Sequence, residues 1–257
     1  MSNRITPSTR TNLRLLFLGL TVIVAFCVVV RTSSAAAIVW DTPQFITGGP
    51  DVSTTGTLIG AFNVGDAGVP GTTVNGVNFQ SFAAPGGNGS SGNFTMMPGG
   101  GGVFNSNTSG GSANPPFSTL TPAYQTLLMS YVTPLFSPVT LTMSGLSAGT
   151  SYQFQFWSNL SSQMFGYQIT ATAGNSVTLS SNTDGMEGGL GQWVTGSFIA
   201  DSATQNVTFL GDGDGGFLNG FQLRQTAVPE GGTLSLLAIG LAALAWHQRR
   251  RSRRSHA

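Results

Sequence analysis

Apolar and polar positions alternate with a two-residue period through most of the chain. Val139, Leu141 and Met143 are separated by Thr140 and Thr142. Tyr152, Phe154 and Phe156 are separated by Gln153 and Gln155, with Trp157 on the face opposite the aromatics. Tyr167, Ile169 and Ala171 repeat the pattern, followed by Val207 and Phe209, then Phe217, Phe221 and Leu223. A period of two marks strands with one face on a core. Leu146 to Thr150 reads as a turn between two strands. Asn75-Gly76, set between Thr73-Val74 and Val77-Asn78-Phe79, predicts a hairpin, because a type I′ turn needs positive φ at both central residues.

One stretch keeps a different period. After Pro122, residues Tyr124, Leu127, Leu128 and Tyr131 fall at i, i+3, i+4 and i+7. This predicts a short helix covering one end of the β domain. Residues 85–116 are rich in Gly and Ser and read as a long mobile loop within the domain. The alternative is a boundary between two domains. Strands separated by short turns over residues 38–226 predict an all-β domain, a β-sandwich or jelly roll with one short helix.

Both ends of the chain read as addresses. Arg4, Arg10 and Arg14 precede a sixteen-residue apolar run, Leu15 to Val30, and small residues ending in Ala35-Ala36-Ala37. That order predicts a signal peptide over residues 1–37, with Ala35 and Ala37 as the small residues read by signal peptidase. The alternative is an uncleaved anchor. The lone Cys27 follows Phe26, too bulky for a lipoprotein site, and belongs to the signal. At the other end, residues 227–257 contain Val228-Pro229-Glu230, an apolar segment at 234–246 and a cluster at 249–254. The cluster comprises Arg249, Arg250, Arg251, Arg253 and Arg254. A thirteen-residue apolar helix spans about 20 Å, short of a ~30 Å hydrocarbon core, but flanking residues and snorkelling Arg side chains let it cross. The Arg cluster is expected to stay cytoplasmic, leaving the body on the other side.

Composition sharpens this division. All ten basic residues are Arg, and between Ile38 and Thr226 eight acids face one base, Arg224. An acidic body disfavours nucleic acid as a partner. The body has no His, Cys or Lys, which excludes a Ser-His-Asp triad, a thiol nucleophile, a Schiff-base Lys and the usual zinc ligands. Only carboxylate chemistry is left. Asp184 and Glu187, or Asp212 and Asp214, lie close in sequence, but a glycosidase needs two carboxyls set across a cleft. Solvated turn acids are the simpler account. Asp212 and Asp214 in Gly211–Gly216 are the candidate calcium ligands, against an ordinary Gly/Asp turn; Leu223 stands where an EF-hand needs Glu. Trp40, Trp157 and Trp193 are aromatic faces that could stack on sugar rings, and Trp157 is the candidate ligand-contact residue. Core packing is the alternative for each.

The tail resembles the PEP-CTERM sorting signal of Gram-negative bacteria, matched at Val228, Pro229 and Glu230, at the apolar segment and at the Arg cluster. Gly231 stands where that family has a second Pro, and Gly231-Gly232 is similar to the related GlyGly-CTERM signal. The resemblance implies recognition by an exosortase, a membrane-embedded cysteine protease or transpeptidase, and an association with exopolysaccharide producers. The body resembles galactose-binding-like jelly-roll domains over VTLTMSGLSAGTSYQFQFW (139–157), GQWVTGSFIADSATQNVTFLG (191–211) and GFLNGFQL (216–223). Together these imply an exported protein, held in the inner membrane as an intermediate and then released to the cell surface or exterior. It is expected to lack enzymatic activity, to require no cofactor and to bind polysaccharide. The alternatives are a carboxylate-dependent glycan hydrolase and a plain membrane-anchored binding domain. N-terminal sequencing of envelope material is expected to begin at Ile38; a start at Met1 or Ser2 would refute signal removal.

Overall fold

The computed structural model describes residues 36–227 apart from Gly101 and Asp214. In chain order the strands begin with β1 (Val39–Trp40), β2 (Gln44–Phe45), β3 (Thr57–Gly65), β4 (Thr72–Val74) and β5 (Val77–Ala83). They continue with β6 (Gly89–Ser91), β7 (Phe94–Pro98), β8 (Val103–Ser106), helix α1 (Pro122–Met129), β9 (Tyr131–Pro134) and β10 (Val139–Ser144). The last six are β11 (Ser151–Ser158), β12 (Gln168–Ala173), β13 (Asn175–Ser180), β14 (Gln192–Ile199), β15 (Thr204–Gly211) and β16 (Gly220–Thr226). The larger sheet runs β1-β14-β11-β16-β3-β5-β4, with β2 also on β14. The smaller runs β13-β12-β15-β10-β7-β6, and β8 and β9 form a separate ribbon. Of these strand pairs only β3 and β5 are parallel. From β10 onward the chain passes repeatedly between the sheets, the jelly-roll form of a β-sandwich.

The two-residue period puts the predicted side chains between the sheets. Tyr152, Phe154 and Phe156 are buried there, facing Leu141, Met143, Ile169, Val207 and Phe209. Phe221 sits at the centre, its ring centroid 5.2 to 6.0 Å from those of Phe62, Phe82, Phe94 and Phe154. The predicted hairpin joins β4 to β5, with φ of 49° at Asn75 and 74° at Gly76. Gly196 in β14 is needed for a different reason. A Cβ there would collide with Ile38 and Trp40, so only Gly lets β1 lie against that strand.

The larger sheet is buried on its outer face as well. Ala61, Phe79 and Trp157 point outward into a second core with Val52, Phe117, Tyr124, Leu127 and Leu128. Helix α1 starts at Pro122 as expected and buries Tyr124, Leu127 and Leu128. It covers this outer face rather than an end of the sandwich. Tyr131 has left the helix and begins β9. Gln155 points away from the inter-sheet core, yet it is buried. Its amide bonds Asp51 O at 2.7 Å and accepts from Ser53 N at 3.0 Å. Gln222 binds Ser53 O at 3.0 Å, and Arg224 donates to the carbonyls of Thr54, Thr55 and Gly56. These side chains fasten residues 51–56 across the sheet.

The expected mobile loop at 85–116 is corrected by the structure. It contains β6, β7 and β8, and β7 pairs with β10 inside the smaller sheet. Phe94 and Met96 are buried, opposite Met143 and Leu141. Three alternating residues, Phe94-Thr95-Met96, are enough for a strand when a neighbouring strand supplies the hydrogen bonds. Averaged over a Gly-rich stretch, that short pattern vanishes. Gly110, farther on, packs against Met129 O, where a Cβ would come within 2.7 Å, and so binds the segment to the end of α1.

Two outcomes follow. Phe154→Ala is expected to cost about 3–5 kcal/mol in urea unfolding, the usual cost of emptying a buried aromatic site; a loss below about 1 kcal/mol would contradict its place in the core. The second concerns Tyr124, whose hydroxyl donates to Asp51 Oδ2 at 3.0 Å and accepts from Trp157 Nε1 at 3.0 Å. Burial, and then the Asp51 charge, push its pKa well above the ordinary tyrosine value. A pKa raised by folding stabilises the fold fully below the unfolded value of about 10, and that contribution is lost progressively as pH rises from there through the folded value. The urea midpoint is therefore expected to fall above about pH 10 in wild type, and less steeply in Tyr124→Phe.

Candidate functional site: an aromatic cleft at the loop end

Trp157 is not available to a ligand. Its side chain is fully buried in the second core, edge-on to Phe79 with centroids 5.5 Å apart, and its N–H is taken by Tyr124. The face assignment holds, but that face is roofed by α1 and residues 46–56. Trp40 is half-buried and meets Phe154 and Phe156 edge-on. Trp193 is half-buried beside the second core and donates to Phe45 O at 3.2 Å.

The acids are dispersed among turns. Asp212 is exposed, and its carboxylate accepts from Gln168 N at 3.1 Å while its own N–H donates to Gln168 O at 3.2 Å. It thereby clips the start of β12 to the end of β15. Asp214 lies outside the described residues. Asp184 is an exposed turn residue, and Glu187 Oε1 accepts from Ser112 Oγ at 3.3 Å. A groove of about 410 Å³ beside Phe45 and Ile46 includes Asp184 as its one acidic lining residue. Among the described residues no three of His, Cys, Asp and Glu come together.

The feature with recognition chemistry lies where three chain segments converge. Tyr131 opens β9, Tyr167 stands just before β12, and Phe217 lies in the run leading to β16. Phe217 is wedged between the tyrosines, 4.7 Å from Tyr131 at 89° and 5.7 Å from Tyr167 at 56°. Phe165, 61% exposed, continues the row 6.2 Å from Tyr167. Tyr131, Tyr167 and Phe217, with Ser109, Leu160, Ser162 and Gln163, line an open cleft of about 260 Å³. The hydroxyls of Tyr131 and Ser109 are 2.8 Å apart, and Ser162 Oγ donates to Ser109 O.

Buried amides hold the cleft's supporting loops in place. Asn219 Nδ2 donates to Leu128 O at 2.7 Å and Ser130 O at 2.9 Å, and its Oδ1 accepts from Asn159 N at 2.6 Å. Asn159 Oδ1 accepts from Gly191 N at 3.0 Å, and Asn182 Nδ2 reaches Gln163 O at 2.8 Å. Each loop is thus tied to another by a side chain whose donors and acceptors are all used within the protein.

The lining combines aromatic surface with hydroxyl and amide groups, and none of its residues is charged. That chemistry suits a neutral, hydroxyl-rich ligand whose apolar ring faces can lie on aromatics. Sequence reasoning missed this cleft. Tyr131 read as the end of a helix, and Tyr167 and Phe217 read as strand residues. No local spacing joins positions so far apart.

Among the described residues no helix is long and apolar enough to cross a membrane. The signal-peptide residues through Ala35 and the whole tail from Val228 lie outside the described residues. Ala37 is described and is exposed.

No curated protein matches the sequence. Among solved structures, the chain is similar to the enzymatically active domain of Bacteriophage CBA120 tailspike protein 4 at 10% identity and a TM-score of 0.25. That match covers 51% of this chain and 18% of the tailspike chain, so the chain spans under a fifth of that protein's length. It is similar to TmCBM61 in complex with β-1,4-galactotriose at 15% identity and a TM-score of 0.23, covering 51% of this chain and 88% of that one. A carbohydrate-binding module of the β-sandwich superfamily is similar at 13% identity and a TM-score of 0.15, covering 70% and 84%.

The tail is matched directly. Val228, Pro229, Glu230, the apolar segment and Arg249 to Arg251 fall inside the matched range, with Arg253 and Arg254 just beyond it. Residues 227–251, following at once on β16, are a PEP-CTERM protein-sorting motif, the mark of an exported protein sorted through an exosortase.

Proposed function

We propose that this is a non-enzymatic, surface-sorted protein of the envelope or extracellular matrix that binds neutral polysaccharide through the Tyr131–Tyr167–Phe217 cleft. The sorting motif at residues 227–251 carries the first half of that reading. The route it supports begins with signal peptidase acting after Ala37. The apolar segment 234–246 then holds the chain in the inner membrane, with Arg249 to Arg254 on the cytoplasmic side. Exosortase acts at Val228-Pro229-Glu230, and the body is released to the surface or exterior.

The second half is supported by the cleft's uncharged lining of three aromatics, two Ser and a Gln. The half-buried rings of Tyr131 and Tyr167, backed by the buried Phe217, supply apolar contact to a sugar's C–H surface, and the hydroxyl and amide groups meet its OH groups. The body has no His, Cys or Lys, and among its described residues no three acids gather, which favours binding over turnover. No cofactor is required for this reading; calcium at Asp212 and Asp214 is a separate proposal, tested by repeating the binding assay with chelator.

The sorting half is checked by mass spectrometry of the protein from its native host. Wild type is expected to lack the peptide from Leu234 to Ala257. The double substitution Pro229→Ala with Glu230→Ala is expected to keep it and remain in the membrane. Retention of that peptide in the mature wild-type protein would reduce the tail to an anchor. The binding half is checked on a glycan array. Wild type is expected to retain neutral polysaccharides, and Tyr167→Ala to weaken binding roughly fivefold or more, about 1 kcal/mol, with an unchanged urea midpoint. Equal binding by both proteins would move the site elsewhere.

A further inference from the structure

The places where the chain enters and leaves the body lie side by side. Val39 pairs with Ser197, which brings Ala37 level with Ile199, two residues farther along each strand. Ile199 pairs with Ser151, and Ser151 pairs with Thr226. Thr226 Oγ1 also donates to Ser151 Oγ at 2.9 Å. Ala37, Ile199, Ser151 and Thr226 therefore form one row across the end of the larger sheet. Three strand spacings of about 4.8 Å put the two exits about 14 Å apart.

That end of the sheet is apolar. Ala36, Ala37, Val39, Phe198 and Ile199, with Ser151 and Ser197, line an open groove of about 420 Å³. Val39 is 62% exposed and Ile199 is 54% exposed. On the far side of Thr226, β3 presents Leu58 and Ile59, also exposed. The adjoining turn carries Asp201, so the surface suits contact with an interface rather than deep insertion.

The tethers beyond this row are short. Leu234, the first residue of the apolar tail segment, is seven residues past Ala227, a reach of at most about 25 Å. Before the signal is removed, its apolar run ends at Val30, six residues before Ala36, a reach of at most about 20 Å. The aromatic cleft lies at the other end of the same strands. β11 runs from Ser151 in this row to Ser158, next to the cleft loops, and β16 runs back from Gly220 to Thr226. Eight residues of strand separate the two ends by about 25 Å.

We propose that the edge carrying Val39, Ile199, Ser151 and Thr226 rests on the lipid bilayer surface while the chain is membrane-held, presenting the aromatic cleft away from the membrane. The inference rests on the reading that the tail holds the chain in the bilayer. Its new content is orientation: the body stands upright on one apolar edge, and the cleft meets polysaccharide before the tail is removed.

The test uses the mature chain from Ile38 to Ala257, which contains no cysteine, carrying single cysteines by Val39→Cys, Ile199→Cys, Met164→Cys or Met186→Cys. Each is labelled with an environment-sensitive fluorophore and bound to phosphatidylethanolamine–phosphatidylglycerol vesicles. Quenching by aqueous iodide is expected to be severalfold weaker at 39 and 199 than at 164 and 186. Equal quenching at all four positions, or protection of 164 and 186 instead, overturns the orientation. Flotation of the same samples separates the two ideas. A chain that floats with its edge labels exposed refutes the orientation alone, whereas a chain that fails to float refutes membrane holding and the orientation with it.

Discussion

From Phe154 to Ser158 strand β11 has no solvent face, and the rest of the structure follows from covering it twice. Tyr152, Phe154 and Phe156 need the smaller sheet on one side, while Gln155 and Trp157 need a roof on the other. A sandwich supplies only the first cover. The second comes from α1 and from residues 46–56, neither of which could be stable without the sheet beneath it. An eight-residue helix is too short to persist alone in water. Its stability comes from Tyr124, Leu127 and Leu128 packing on Trp157, Phe79 and Ala61.

This double burial takes peptide groups and polar side chains out of water, and the body has almost no charge with which to satisfy them. One Arg and eight acids leave few ion pairs to form, and a buried ion pair would have to offset a large desolvation cost. Amides take that place. Asn63, Asn159, Asn219, Gln155 and Gln222 bridge strands to loops, each donating and accepting at once. Arg224 is held by backbone carbonyls rather than by a carboxylate, and its desolvation lowers its pKa. Among the described residues an interior whose buried charges are Asp51 and Arg224 adjoins an uncharged cleft, which offers aromatic surface, hydroxyl and amide.

The strands also sort the molecule into two ends. At one, Ala37 and Thr226 stand three strands apart, about 14 Å, at the two ends of the row that carries the chain in and out. At the other, loops held by Asn159, Asn182 and Asn219 set out the cleft. The chain exits and the aromatic cleft are thus separated by the length of a strand.

The sequence by itself determined what depends on near neighbours in the chain. Alternation from Val139 to Phe156 named the inter-sheet face, because side chains two apart in a strand point the same way whatever lies across from them. Asn75-Gly76 named its turn, Pro122 its helix, and Val228-Pro229-Glu230 with its apolar segment and Arg cluster named the sorting tail. Tertiary structure decided what depends on distant partners. Period alone could not say whether Trp157 meets water or a roof, since the roof is built from residues 30 and 100 positions upstream. Nor could it show that Phe94 and Met96 complete a sheet, because their partners lie in β10. The cleft was illegible for the same reason: Tyr131, Tyr167 and Phe217 become one surface only when three loops are folded against each other.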